Sequence, residues 1–256
     1  MLANLNSLMK KLVLKLIFGF IILPLIIAGT LYSLNENGFF NIEKIEVTLE
    51  DAPANQENFL NPLVQDLEKS LQAYQGHSLW SVKLKNITGI LNKEEWIETS
   101  ALKRNWPSSL QVRVKPYEVK MLYLDKKSQL MPIIKDGQML QAIDSQRAPD
   151  VAILGGEVFV KKPELRKKAV EVLEEIPAQG SFSRKTISEI RFDQKEGFWM
   201  TMIKTGIQVK MGSDQIALKS ARVSQVVDYL ENRQFDARVI DANLSKKVLV
   251  RLRKDP

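Results

Sequence analysis

Apolar residues fall along this chain in three textures. The first is an unbroken run: residues 16–34 read LIFGFIILPLIIAGTLYSL and hold no charge. As a helix rising ~1.5 Å per residue, the run spans about 30 Å, the hydrocarbon thickness of a bilayer. Pro24 is tolerable there, because helices in lipid accept an occasional kink. The second texture is helical. Leu60, Leu63, Val64, Leu67, Leu71 and Tyr74 share one helical face over 59–74, and Gly76 is a plausible stop. Leu84, Ile87, Ile90 and Leu91 form a shorter helical segment. Leu165, Ala169, Val172, Leu173 and Ile176 predict a helix over 163–176. Ile216, Val223, Val227 and Leu230 predict another, reaching about Arg233, with Ser213-Asp214 as its cap.

The third texture is alternation, which predicts strands. Ile45, Val47 and Leu49 line one face of 42–50. Ile97, Thr99 and Ala101 open a strand that ends near Trp106-Pro107. Leu110, Val112 and Val114 alternate with Gln111, Arg113 and Lys115. Short strand-like runs follow at 119–124, 131–134 and 139–143, with Asp136-Gly137 as a hairpin signal. Further strands read at 187–192, 198–203 and 207–211, with Gly197 and Gly206 at turns, then at 238–243 and 246–253. The order is an apolar helix, a strand-helix-helix-strand-strand module, and a β-rich region with two helices. The fold class is α+β.

Charge sets the direction of the apolar run. Residues 1–34 contain no acid and carry Lys10, Lys11 and Lys15, whereas Glu36, Glu43 and Lys44 follow. The positive-inside rule places the N-terminus in the cytoplasm and the rest outside. The competing reading is a cleaved signal peptide. The run exceeds the ~7–15 residues of such a segment. The nearest cleavage candidate, Ala28-Gly29-Thr30, lies inside it. The net charge is +7. The anchor region supplies three of these charges, so the remainder is close to balanced. That is weak support for nucleic acid, and an extracytoplasmic location argues against such a partner. Lys161-Lys162 and Arg166-Lys167-Lys168, mixed with Glu164, Glu171, Glu174 and Glu175, read as one solvated helix face.

Composition removes much chemistry. The absence of cysteine excludes disulfides, thiolate catalysis and Cys-based metal sites. The single histidine, His77, reads as a loop residue, and no His-rich metal site is available. Gly155-Gly156 is a lone pair rather than a phosphate loop. Glu94-Glu95 and Glu174-Glu175 are neighbours that do not face each other on a helix. Carboxylates distant in sequence could still meet in a cleft. Trp80, Trp96, Trp106 and Trp199 read as core or packing residues. No cofactor is expected.

Several local motifs then fit one family. Leu79-Trp80-Ser81-Val82 follows the first long helix, and Trp96-Ile97-Glu98-Thr99-Ser100-Ala101 precedes Arg104-Asn105-Trp106-Pro107. Leu110-Gln111-Val112-Arg113-Val114 comes next, followed later by Asp136-Gly137 and Leu154-Gly155-Gly156. Val209-Lys210-Met211-Gly212-Ser213, Lys219 and Ile240-Asp241 close the series. In this order, behind a single anchor, they resemble the FtsQ/DivIB family of bacterial cell division proteins. The resemblance implies a cytoplasmic tail (1–11), a transmembrane signal anchor (12–34), a POTRA domain (39–116) and an FtsQ-type β domain (117–256). It implies a non-catalytic divisome scaffold in the bacterial inner membrane, with a periplasmic bulk at the division septum. Its partners would be FtsB and FtsL-like proteins and other divisome components. Arg104, Trp106 and Pro107 match the family's R-x-W-P in the module associated with recruitment. The chain departs from the family at Lys115, often an acid there, and near Glu118-Val119-Lys120, where Pro-x-Ala is common. It also reads Asp241-Ala242-Asn243-Leu244 where the family commonly has Asp-Leu-Arg-Tyr, in the region of the FtsB contact.

The residues themselves offer a physical reason for partner binding. If the last strand is a sheet edge, its free N–H and C=O groups would accept a partner strand. Lys246, Lys247, Arg251 and Arg253 would favour an acidic segment. Leu244, Val248 and Val250 are expected on one face, with Leu249 and Leu252 off it. Asn243 precedes this set. The bland reading is a strand covered by its own domain, its charges protecting the edge. Two other functional readings stand beside the scaffold: a POTRA-bearing envelope assembly or secretion factor, and a membrane-anchored envelope enzyme.

Overall fold

A computed structural model of the chain describes residues 15, 17–53, 56–244 and 247–253. The expected tail at 1–11, with Lys10 and Lys11, lies outside the described residues, as do residues 12–14 of the expected anchor. The apolar run forms a π-helical turn, Phe18–Ile22, continued by helix α1, Leu23–Glu36. The wider turn comes just before Pro24, whose ring and missing N–H exclude the ordinary i to i−4 bond. Among the described residues, this is the one helix long and apolar enough to cross a membrane, and none of its side chains is buried.

The chain divides into two compact units. The first contains residues up to Glu50, Leu63–Glu94 and Thr99–Val114. The second contains Asp51–Pro62, Glu95–Glu98 and everything from Lys115 onward. The first unit is built on β1 (Lys44–Leu49), α2 (Glu57–Leu71), α3 (Leu84–Leu91), β2 (Ile97–Asn105) and β3 (Ser109–Pro116). The division cuts α2 after Pro62, β2 after Glu98 and β3 after Val114. The strand order is β1-β3-β2. Parallel strands need a crossover. Here β1 and β3 pair in parallel with Ile45 opposite Leu110 and Val47 opposite Val112, and the two helices lie between them in sequence. The alternation in β3 buries Leu110, Val112 and Val114, while the helical faces bury Leu67, Leu71, Ile87 and Leu91. This is the expected strand-helix-helix-strand-strand module.

The second unit carries one eight-stranded sheet. Its strands are β4 (Met121–Leu124), β5 (Leu130–Ile133), β6 (Ile153–Gly155), β7 (Ile187–Asp193), β8 (Gly197–Met202), β9 (Gln208–Gly212), β10 (Ala237–Asp241) and β11 (Leu249–Leu252). They lie in the order β11-β10-β9-β8-β7-β6-β4-β5. A short helix α4 (Val158–Lys161) precedes α5 (Pro163–Glu175), and α6 (Ile216–Arg233) separates β9 from β10. Ala169, Val172 and Leu173 of α5 and Val223, Val227 and Leu230 of α6 join one core with Leu154, Ile190, Met200, Val209 and Ile240 of the sheet.

One strand carries no local signal in the sequence, and three local expectations change. The three residues of β6 are too short to show alternation, yet they run parallel between β4 and β7. The 139–143 run makes only isolated bridges, Met139 to Ile133 and Ile143 to Leu130. Ser213-Asp214 does not cap α6. Gln215 holds the N-cap position in the left-handed region, and no side chain bonds the helix end. The last strand begins at Leu249 instead of Lys246, and Lys246 lies outside the described residues.

Candidate functional site

β11 is the terminal strand of the eight-stranded sheet and, among the described residues, pairs on one side only, antiparallel to β10. All four of its residues are exposed. The backbone N–H of Arg253 points inward, donating to the carbonyl of Asp236 at 2.8 Å. N–H directions alternate along an extended chain. Leu249 and Arg251 therefore face β10, whereas Val250 and Leu252 direct their N–H and C=O groups to the open side. Such a row is a template for a further strand.

The side chains divide by register. Val250 stands opposite Ile240, which faces the core, and Val248 packs partly against that core. Past a bulge, Leu252 stands opposite buried Ala237. Val248, Val250 and Leu252 thus share the core side of the strand. This corrects the expectation that Leu252 lies off that face, since even-numbered positions keep one phase. Leu249 and Arg251 lie on the opposite face, paired with Asp241 and Val239. Leu244 is exposed in a bend ahead of the strand. Lys247 and Arg251 are exposed and make no ion pair among the described residues. Arg253 is instead held at home, 3.6 Å from Asp236 and donating to the carbonyl of Thr205 at 3.2 Å.

The approach to this edge is fixed by a polar corner that sequence reading assigned no structural role. Asn243 donates its backbone N–H to Asp241 Oδ1 at 3.1 Å and its side-chain amide to the Glu196 carbonyl at 3.4 Å. A Cβ on Gly212, whose φ is +77°, would collide with Asn243 Oδ1. Beside Gly212, the buried Lys219 donates to the Met211 carbonyl at 3.0 Å and to Asp214 Oδ1 at 2.7 Å. That hydrogen bond and the ammonium charge hold the Asp214 carboxyl below the usual carboxylate range. Glycine and lysine are therefore required here by backbone geometry and by an unsatisfied turn carbonyl. The family-like G…K spacing was the signal in the sequence.

In the first unit, Arg104 is a brace. Its Nε donates to the Leu79 carbonyl at 2.8 Å and a terminal nitrogen donates to the Val82 carbonyl at 2.9 Å. The Trp106-Pro107 bond is cis. Trp80 and Trp106, expected as core or packing residues, are about half exposed and pack on each other, with ring centroids 4.9 Å apart. His77 is an exposed loop residue, as read.

A cleft of about 700 Å³ in the second unit is lined by charges of both signs, among them Lys120, Glu118 and Glu174. Burial alone would lower the Lys120 ammonium. The hydrogen bonds it donates to the Glu118 and Glu174 carboxylates, at 2.8 and 3.2 Å, together with their charges, outweigh burial and raise its pKa. Buried Arg166 likewise closes the Asp136-Gly137 turn, donating to the carbonyls of Gly137 at 2.7 Å and Phe159 at 2.6 Å. Among the described residues, no group of three or more His, Cys, Asp or Glu side chains is placed to hold a metal.

Comparison with known proteins agrees with this architecture. Residues 122–243 match the family described as cell division protein FtsQ/DivIB, C-terminal. The chain is 26% identical over 187 residues to the cell division protein FtsQ of a Geobacter species, covering 69% of this chain and 66% of that protein. It is 23% identical over 237 residues to the FtsQ of Geotalea daltonii, covering 88% and 78%. It is 23% identical over 185 residues to the FtsQ of Syntrophotalea carbinolica, covering 69% and 64%. For two of these relatives the match spans just under two thirds of their length. With the α+β architecture, the apolar N-terminal helix and the matched β region all in place, residues 122–243 belong to the FtsQ/DivIB family of cell division proteins, and the chain around them is similar to curated FtsQ proteins.

Proposed function

We propose that this cell division protein is a non-catalytic scaffold that binds an FtsB–FtsL-like pair through β11. One observation carries the reading: the last strand is an unpaired sheet edge whose apolar side chains, Leu249, Val250 and Leu252, are all exposed. Single exposed apolar residues are ordinary, but an apolar edge strand attracts pairing and is usually blunted. A partner strand added to β11 would satisfy the outward groups of Val250 and Leu252 and cover these side chains. Lys247 and Arg251 would draw in an acidic segment. Asn243 and Leu244 would set where that segment starts, and Lys246 extends the same stretch. Leu249, Val250 and Leu252 are the anchors of this reading, since they are the apolar groups left open.

In this scheme residues 39–116 form a POTRA domain, in which Arg104, Trp106 and Pro107 serve recruitment, and 117–256 form the partner-binding β domain. The N-terminus is cytoplasmic, α1 crosses the inner membrane, and the bulk lies in the periplasm at the septum. The test is a binding titration of the full chain in lipid nanodiscs against FtsB–FtsL ectodomains from the same cell. Saturable binding that is lost on altering 247–252, with the fold intact, supports the scaffold and its site. Binding that survives those changes moves the contact elsewhere, with Asn243 and Leu244 the first suspects. Absence of binding by a folded chain overturns the reading.

A further inference from the structure

Three large rings are exposed together at one end of the first unit. Phe39 is 51% exposed, Trp80 56% and Trp106 48%. They surround buried Phe40, whose ring centroid lies 5.1 Å from that of Phe39, 5.8 Å from Trp80 and 5.7 Å from Trp106. Neither exposed indole N–H has a hydrogen-bond partner among the described residues. The rings come from three separate segments, and the structure holds them there. The Leu79 N–H donates to the Phe40 carbonyl at 2.8 Å, and Arg104 fixes the Leu79–Val82 loop from the other side. Clustered exposed aromatics of this size mark a contact surface.

The place of the patch says what covers it. α1 ends at Glu36, and the Phe39 N–H donates back to the Leu34 carbonyl at 3.0 Å. Ser78, two residues before Trp80, donates its hydroxyl to Asn35 Oδ1 at 2.7 Å. The patch is therefore bonded to the last turn of the apolar helix, with no free linker between. Phe39 follows Glu36 by three residues, at most about 11 Å of chain. The polar layer on each side of a bilayer is roughly 5–8 Å thick. Tryptophan favours that layer, because its ring is apolar and its N–H seeks a polar partner.

We infer that Phe39, Trp80 and Trp106 form a membrane-facing patch that seats in the headgroup layer of the bilayer crossed by α1. The inference rests on the reading of α1 as the membrane span. The bilayer holds the first unit at a fixed attitude above its own anchor, and Trp106 contacts lipid where the recruitment reading would give it a protein partner.

The span contains no tryptophan, so indole emission reports the folded units. The experiment uses the full chain carrying Trp96→Phe and Trp199→Phe, reconstituted in phosphatidylcholine–phosphatidylglycerol vesicles, with and without lipids brominated near the headgroup end of the acyl chains. The expected result is blue-shifted emission and a marked loss of intensity with brominated lipid. Alkaline extraction of the same vesicles separates the two ideas. Protein released by alkali overturns the membrane span and the patch together. Protein retained but unquenched by bromine, and quenched by aqueous acrylamide, overturns the patch alone and leaves those rings to a protein partner. The unsubstituted chain gives a second reading if the double variant fails to fold. Bromine then quenches part of its emission, and Trp80→Leu shrinks that part. An unchanged part overturns the inference.

Discussion

Val250 stands directly opposite Ile240 across the last strand pair, yet Ile240 is fully buried and Val250 is 37% exposed. Two apolar side chains on the same side of one sheet thus differ because the protein's own core stops at β10. The open N–H of Val250 lies on the same free edge. Proline removes an N–H and is tolerated on an edge strand when the lost donor faces away from the ladder. Val250→Pro should therefore leave thermal unfolding nearly unchanged while weakening partner affinity by tenfold or more, about 1.4 kcal/mol. Arg251→Pro, whose N–H faces β10, should instead loosen the strand. Equal loss of stability in both variants would show that the edge is not free as described.

Charge should act on the encounter more than on the bound state. Lys247 and Arg251 are exposed and unpaired among the described residues, so they give rim attraction to an acidic segment. Lys247→Glu with Arg251→Glu should slow association on the order of tenfold at low salt, with little change in dissociation rate. Screening shortens the range of such charges to about 8 Å at physiological ionic strength, so the effect should shrink as salt is raised. Stopped-flow association at several salt concentrations reads this directly. A salt-independent effect would mean that the two side chains act by packing.

Much of the fold was legible because its elements carry strong periods. The helical face from Leu60 to Leu71 and the alternation of Leu110, Val112 and Val114 each have one physical reading, and the structure follows it. What escaped was short or non-local. β6 has three residues, too few for a period, and exists because β4 and β7 leave a gap for it. Ser213-Asp214 has the residue types of an N-cap for α6, but Lys219 claims Asp214 from within the first turn. Trp80 and Trp106, expected as core or packing residues, pack on each other and on Phe40 but stay about half exposed. Their placement follows from the bond of Leu79 N–H to the Phe40 carbonyl and from the Arg104 brace, which no local pattern encodes. At the edge, the charges and the strand were visible, whereas the bulge in β10 that sets Leu252 opposite Ala237 was not.

The Lys219–Asp214 pair makes a pH prediction. Its folded-state carboxyl is held below its ordinary value by the Lys219 hydrogen bond and charge. A depressed carboxylate gives stability that is fully present above the unfolded value, near about 4, and is lost as pH falls through the lower folded value. Asp193 adds in the same direction, because the backbone N–H groups of Glu196 and Lys195 hold its carboxyl down. Urea unfolding should therefore show a midpoint that falls below about pH 4. Asp214→Asn should flatten part of that fall while lowering stability at neutral pH. An unaltered pH profile in Asp214→Asn would show that the pair does not titrate with folding.

Arg104 gives the last prediction, because it separates a structural role from a recruiting one. Its two charge-assisted bonds to the Leu79 and Val82 carbonyls are each worth roughly 1.5–3 kcal/mol when fully buried, and less at this partly buried site. Arg104→Ala should destabilise the first unit by about 2–3 kcal/mol. Arg104→Lys should restore less than half of that, since a single ammonium on a flexible stem does not reproduce the planar fork. Two compact units need not unfold together, so the transition must be assigned. Trp80 and Trp106 sit beside the brace and report the first unit, whereas Trp199 in β8 reports the second. Urea unfolding followed with Trp96→Phe and Trp199→Phe should show the shifted midpoint, while the chain retaining only Trp199 should unfold as before. If Arg104→Ala moves neither transition yet abolishes septal localisation, the side chain serves a partner and not the loop.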